Sequence, residues 1–167
     1  VNNPLGAERR PIKPIVAVID TSALYGDRSR RALVLAANEG LYEGVWSPHV
    51  IGELYRILTV RWIEKYGLNG DSKSRLSRKS KDMMDVLLAA FSLVDTGPLE
   101  SEDPIAMRDP DDFHLVRAAR FASAGCVVSE NTRDFPPKDA DGRHRFEGIE
   151  FLTVNDFLAS IVARNRR

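Results

Sequence analysis

The run Pro14-Ile15-Val16-Ala17-Val18-Ile19-Asp20-Thr21-Ser22 constrains this chain more than any other stretch. Five apolar β-formers without polar alternation read as a strand buried on both faces. A strand of that kind belongs to a parallel sheet covered by helices on each side, and it ends here on a carboxylate. In open α/β sheets, ligands bind outside the carboxyl ends of the strands. Asp20 therefore stands where chemistry would be placed.

The remaining elements support an alternating pattern. Leu33, Ala36 and Ala37 share one face of a helix that follows Asp27 and stops near Gly40. Gly44 to Ser47 is a short strand, and Ser47-Pro48 reads as an N-cap with proline at the first helical position. The helix that follows carries Val50, Ile51, Leu54, Ile57 and Leu58 as its apolar stripe, with Glu53 at the flank. Tyr66 to Lys73 is a break, and Ser74 to Val94 a further helix, basic in its first half and apolar in its second. Thr96 to Arg108 reads as a loop. Asp109 caps the next helix, with Pro110 at its first position and Leu115, Ala118, Ala119 and Ala122 inward. Cys126 to Val128 is a strand, Pro136 to Gly148 a loop, and Ile149 to Val154 the last strand. Asn155 caps a final helix, Asp156 to Arg164. The expected architecture is an α/β three-layer sandwich, a central mostly parallel sheet flanked by helices. Residues 1–13, with Pro4 and Pro11, read as a flexible N-terminal arm, and 14–167 as one domain.

Charge and composition narrow the function classes. Lys+Arg and Asp+Glu balance at 24 each, so no global basic field marks the chain as a nucleic-acid binder, although a local patch suffices. The single cysteine, Cys126, excludes an internal disulfide and reads as a small buried hydrophobe. The longest apolar run, Val86 to Val94, is too short to span a bilayer, and no secretory pattern is present. A cytoplasmic protein without membrane contact is the expectation. There is no Gly-rich phosphate loop, nucleophile elbow or CxxC pair. His49, His114 and His144 are scattered and read as incidental, with His49 and His144 able to meet a phosphate.

What remains is carboxylates at element ends. Asp20, Asn131 and Asp134 follow strands; Glu53 and either Asp111 or Asp112 sit early in helices, and helical geometry alone does not choose between the last two. Two such charges about 4 Å apart repel by roughly 4 kcal/mol at an effective dielectric of 20. A bound cation repays that cost. Oxygen ligands without His or Cys suit Mg²⁺ or Mn²⁺ rather than Zn²⁺. Such ions activate water and stabilise an in-line phosphoryl displacement.

VIDTS at 18–22, PHVIGEL with Glu53, DPDDFHLVRAAR at 109–120 and VVSENTRDFP at 127–136 together resemble the PIN domain, most closely the VapC-like branch of toxin–antitoxin ribonucleases. The resemblance covers about Pro14 to Val162. It implies an acidic pocket binding Mg²⁺ or Mn²⁺ and hydrolysis of single-stranded RNA. Position by position, it implies Asp20, Glu53, Asp112 and Asp134 as catalytic, metal-holding acids, and so selects Asp112 over Asp111. Ser22, Ser129 and Asn131 are implied in support. Where many relatives carry a second acid upstream of the last, Asn131 offers an oxygen without charge, which leaves one or two metals open. Arg28, Arg30, Arg31 and Arg133 are expected to hold RNA phosphates. An antitoxin that blocks the pocket with Arg or Lys, and a homodimer, are the implied partners. Two other classes stand beside this one: an inert PIN-like binding module, and an aspartate-dependent phosphatase, which generally wants a second Asp where this chain has Ser22.

Overall fold

A computed structural model of the chain describes residues 14–67, 69–96 and 113–166. Six strands form one sheet in the order β3-β2-β1-β4-β6-β5. In chain order the elements are β1 (Ile15–Ile19), α1 (Thr21–Tyr25), α2 (Asp27–Asn38), β2 (Tyr42–Trp46), α3 (Pro48–Tyr66), α4 (Gly70–Ala90), β3 (Phe91–Leu93), α5 (Phe113–Ala122), β4 (Cys126–Val128), β5 (Arg145–Phe146), β6 (Ile149–Leu152) and α6 (Val154–Asn165). The first four strands and β6 run parallel, and β5 is antiparallel to β6. The expected three-layer α/β sandwich with a mostly parallel sheet is the fold observed.

β1 lies at the centre, between β2 and β4. Ala17, Val18 and Ile19 are all fully buried, as only a strand covered on both faces can be. Its apolar run thus has the environment that its lack of alternation demands. Val127, Val128, Val45 and Trp46 continue the core along the neighbouring strands. Trp46 meets Phe91 edge to face, and Tyr42 meets Phe157 of α6 in the same way. Cys126 is buried, and burial pushes its thiol up to about 12, which keeps it an unreactive packing residue.

The chain runs from β1 outward through β2 to β3, then returns to the other side of β1 for β4. That reversal makes the carboxyl ends of β1 and β4 a topological switch point, the place where open sheets leave a crevice. Register puts Ile19 opposite Val128, so Asp20 and Ser129 leave the sheet side by side. Ser47 caps α3, with its Oγ accepting from Val50 N, and Pro48 occupies the first turn.

Several boundaries differ from the sequence reading. Phe91–Leu93, expected at the end of a helix, is an edge strand paired with Gly44–Trp46. A short apolar run satisfies either period, and pairing with β2 decides it. Arg145–Phe146, expected in a loop, forms a hairpin with β6. Its turn, Glu147-Gly148, has positive φ at both positions (51° and 80°), the two-residue turn that matches strand twist. Glu is an uncommon residue there, which hid the turn. Arg120 holds Glu147 in place with two bonds of 2.9 and 2.7 Å. The last helix is capped by Thr153, not Asn155: Thr153 Oγ1 accepts from Asp156 N at 3.2 Å. Residues 21–25, to which the sequence pattern assigned no element, form the short helix α1. The expected arm at 1–13, the 97–108 loop and the Asp109-Pro110 helix start lie outside the described residues.

Candidate metal centre

Asp20 is 7% exposed and stands immediately beyond β1. Its Oδ1 accepts from Thr21 N at 2.7 Å. Its Oδ2 accepts from Ser22 Oγ at 2.5 Å and Ser129 Oγ at 2.8 Å, with Ser22 N a longer donor at 3.4 Å. The two hydroxyls lie 3.0 Å apart, so the proton each carries decides which bonds the carboxylate and which the other oxygen. Ser22 Oγ also accepts from Glu130 N at 2.8 Å, and Ser129 Oγ from Asn131 N at 3.1 Å. The network ties the end of β1 to the end of β4 across the switch point and fixes the Asp20 carboxylate.

Glu53 enters from α3. Thr21 Oγ1 donates to Glu53 Oε2 at 2.7 Å, while Thr21 N donates to Asp20. One residue thus orients two carboxylates, one through its backbone and one through its side chain. Asp20, Thr21, Ser22, Glu53 and Asn131 line a cleft of about 980 Å³. Asp134 sits in a 3₁₀ turn (Thr132–Asp134), half-buried, and accepts from Asn131 Nδ2 at 2.5 Å. The reverse amide orientation would set two acceptors against each other, so chemistry assigns Nδ2 to that bond. Asn131 therefore links Asp134 to the cleft. Asp112 lies outside the described residues. Among those described, no three His, Cys, Asp or Glu side chains converge on one point.

The donor set is nonetheless one that suits a hard cation. It consists of carboxylate, amide and hydroxyl oxygens, with Asp20 Oδ1 bonded by a single backbone N–H and Glu53 Oε2 by a single hydroxyl. Mg²⁺ commonly keeps several waters and is bound through one or two carboxylates, which Asp20 and Glu53 can provide. Glu130 also lines the cleft, but its Oε1 accepts from Val154 N at 2.9 Å and serves α6 instead.

The expected basic residues are placed differently. Arg30 pairs with Asp27 and donates to Leu24 O at 2.8 Å. Arg30 and Arg31 flank a separate groove between α2 and α4, and neither they nor Arg28 lines the cleft. Arg133 is exposed on the 3₁₀ turn beside Asp134. The arginine that does line the cleft is Arg56, one turn beyond Glu53 on α3, and Arg61 packs 3.6 Å over the ring of Tyr25 at its rim. Sequence reasoning passed over both, because on a helix they read as solvated charge. It also set His49 and His114 aside as incidental; their rings stack with centroids 4.0 Å apart, and both line the cleft. His144 instead bonds Pro136 O through Nδ1 at 2.6 Å and packs edge-on to Phe135.

A family model described as the PIN domain matches residues 16–133. Among solved structures, the crystal structure of PAE2754 from Pyrobaculum aerophilum is similar, with a TM-score of 0.49 and 17% sequence identity over 89% of this chain and 90% of that one. No curated protein matches the chain in sequence. No helix among the described residues is long and apolar enough to cross a membrane. The family match begins within β1, takes in Asp20, Glu53 and the Ser129–Asn131 turn, and spans well over half the sequence, so this chain belongs to the PIN domain family.

Proposed function

We propose that this chain is a Mg²⁺- or Mn²⁺-dependent endoribonuclease that hydrolyses phosphodiester bonds of single-stranded RNA. PIN domains are generally nucleases and typically use divalent metal ions, which supports this reaction class. The observation that carries the reading is the Thr21 bridge, which orients Asp20 and Glu53 together on one cleft at the switch point. When bound, a divalent cation supplies an activated water and neutralises charge on the phosphate.

The chain's own residues prepare that site. Asp20 and Glu53, with Asp112 and Asp134 from the family resemblance, would hold the cation. Ser22 and Ser129 keep Asp20 in one rotamer, and Asn131 positions Asp134. Arg56 meets a backbone phosphate at the cleft wall, and Arg133 one beyond it. The aspartyl-phosphatase alternative is disfavoured by Ser22, which stands where a second acid is wanted and donates to Asp20 itself.

We extend the proposal to a VapC-like toxin acting in the cytoplasm as one domain over 14–167, a homodimer whose antitoxin fills the cleft with a basic side chain. Cleavage of a labelled single-stranded RNA tests the central reading. Wild type should cleave with Mn²⁺ and stop with EDTA, and Asp20→Asn should lose more than the roughly 10–100-fold that removing a group behind a metal ligand costs. Equal cleavage by the two proteins overturns the mechanism, and saturable Mn²⁺ binding without cleavage would favour an inert module.

A further inference from the structure

The cleft has a wall that the metal chemistry does not use. His49 lies in the first turn of α3 and is exposed; His114 lies in α5 and is buried beneath it. Their rings are 4.0 Å apart and 34° from parallel. One imidazole is thus buried against the other, while His49 itself remains exposed. Both line the same cleft as Asp20 and Glu53. Along α3, His49, Glu53 and Arg56 are spaced four and three apart, which places them on one face in successive turns. Gly52 lies between them on the cleft wall, and a Cβ there would meet nothing within 4 Å. The face therefore presents a flat ring, bare backbone, a carboxylate and a guanidinium in order.

We propose that the stacked His49–His114 pair is a nucleobase platform. A base of the RNA strand stacks on His49, its backbone passes over Gly52, and an adjoining phosphate meets Arg56. Unpaired bases are held in this way on aromatic side chains, His among them, and every base offers a π-face, so the platform is tolerant of sequence. A supported ring suits the task, because His114 holds His49 in orientation before a base arrives. This assignment rests on the single-stranded RNA reading above and adds a binding site for the base beside the scissile phosphate.

Binding in EDTA separates the platform from cleavage. The probe is a fluorescein-labelled 12-nucleotide oligoadenylate, together with a strand of the same length in which every position is abasic. His49→Ala should bind the intact strand roughly ten-fold more weakly, the scale of one lost base–aromatic stack, and His49→Phe should restore binding. The fully abasic strand should bind wild type and His49→Ala equally, because it offers no base to stack while keeping its phosphates. Gly52→Leu, placed in open space, should fold and block the strand. Equal affinity of His49→Ala and wild type, or no measurable strand binding by wild type, overturns the platform. A wild type that binds the strand but does not cleave it with Mn²⁺ removes the nuclease reading and leaves the platform standing.

Discussion

At the residue scale, the Asp20 carboxylate is built into place by its neighbours. Ser129 Oγ sits 2.8 Å from Oδ2 and also accepts from Asn131 N, so it serves both the carboxylate and the turn that carries Asn131. A hydrogen bond to a charged group contributes about 1.5–3 kcal/mol. Ser129→Ala should therefore lower the urea-unfolding free energy by about that much, and the cost should shrink without vanishing in an Asp20→Asn background, where the bond from Asn131 N is still lost. A Ser129→Ala protein as stable as wild type would show that the bond contributes nothing. Asp20 was legible because it stands at the end of an apolar run, whereas Ser22 and Ser129 entered only through the family resemblance. Thr21 was not: its role depends on Glu53, 32 residues on, coming within 2.7 Å. His114 was hidden for a related reason, since it precedes Leu115 on a helix whose periodicity reports burial and not what faces it. The spacing that tied Asp111 with Asp112 was resolved only by family resemblance.

At the scale of elements, two strands escaped sequence reading, and each depends on a contact that pattern does not encode. β3 pairs with β2 so that Phe91 lies opposite Gly44. A Cβ at Gly44 would sit 2.9 Å from Phe91 Cε1 and closer still to Cδ1. The ring is buried against Trp46 and has little room to yield. Gly44→Ala should destabilise the fold by about 1–3 kcal/mol through overpacking, read by denaturant unfolding; an unchanged or raised stability would mean that the ring moves freely. The β5–β6 hairpin instead depends on charge. The backbone N–H groups of Arg143 and Asp141, with Arg145 beside them, hold the Asp139 carboxyl below its ordinary 3.8. The Arg120 bonds hold Glu147 below its ordinary 4.5. A depressed carboxyl stabilises the fold fully above its unfolded value and loses that contribution as pH falls through its folded one. The melting temperature of wild type should exceed that of Asp139→Asn above about pH 5, and the gap should close as the pH drops below 3.8. A gap that does not change with pH would show that the charge on Asp139 contributes nothing to it. The start of α3 was read closely at Ser47-Pro48 because that signal is local, whereas the start of α6 was placed two residues late because Thr153 and Asn155 both fit a cap.

At the scale of the whole molecule, the sheet order determines which acids can cooperate. β1 and β4 are neighbours only because the chain reverses after β3, and that reversal brings Asp20 and Ser129 into one network, 109 residues apart in sequence. The cleft joins the loops after β1, β2 and β4, so a ligand held there links parts of the chain that otherwise meet only through the core. A cation that binds the folded site and not the unfolded chain must stabilise the entire fold by mass action, about 2.7 kcal/mol at one hundred times its dissociation constant. For a chain of this length that corresponds to a rise of about 5–10 °C in melting temperature. Mn²⁺ should produce such a rise in wild type, with saturation, and EDTA should reverse it. Asp20→Asn should abolish the response, and Glu53→Gln should weaken it while leaving the apo melting temperature close to its own baseline, since the amide oxygen can still accept from Thr21. A rise of equal size in wild type and Asp20→Asn would place the cation elsewhere on the molecule and detach the acids of this cleft from metal binding.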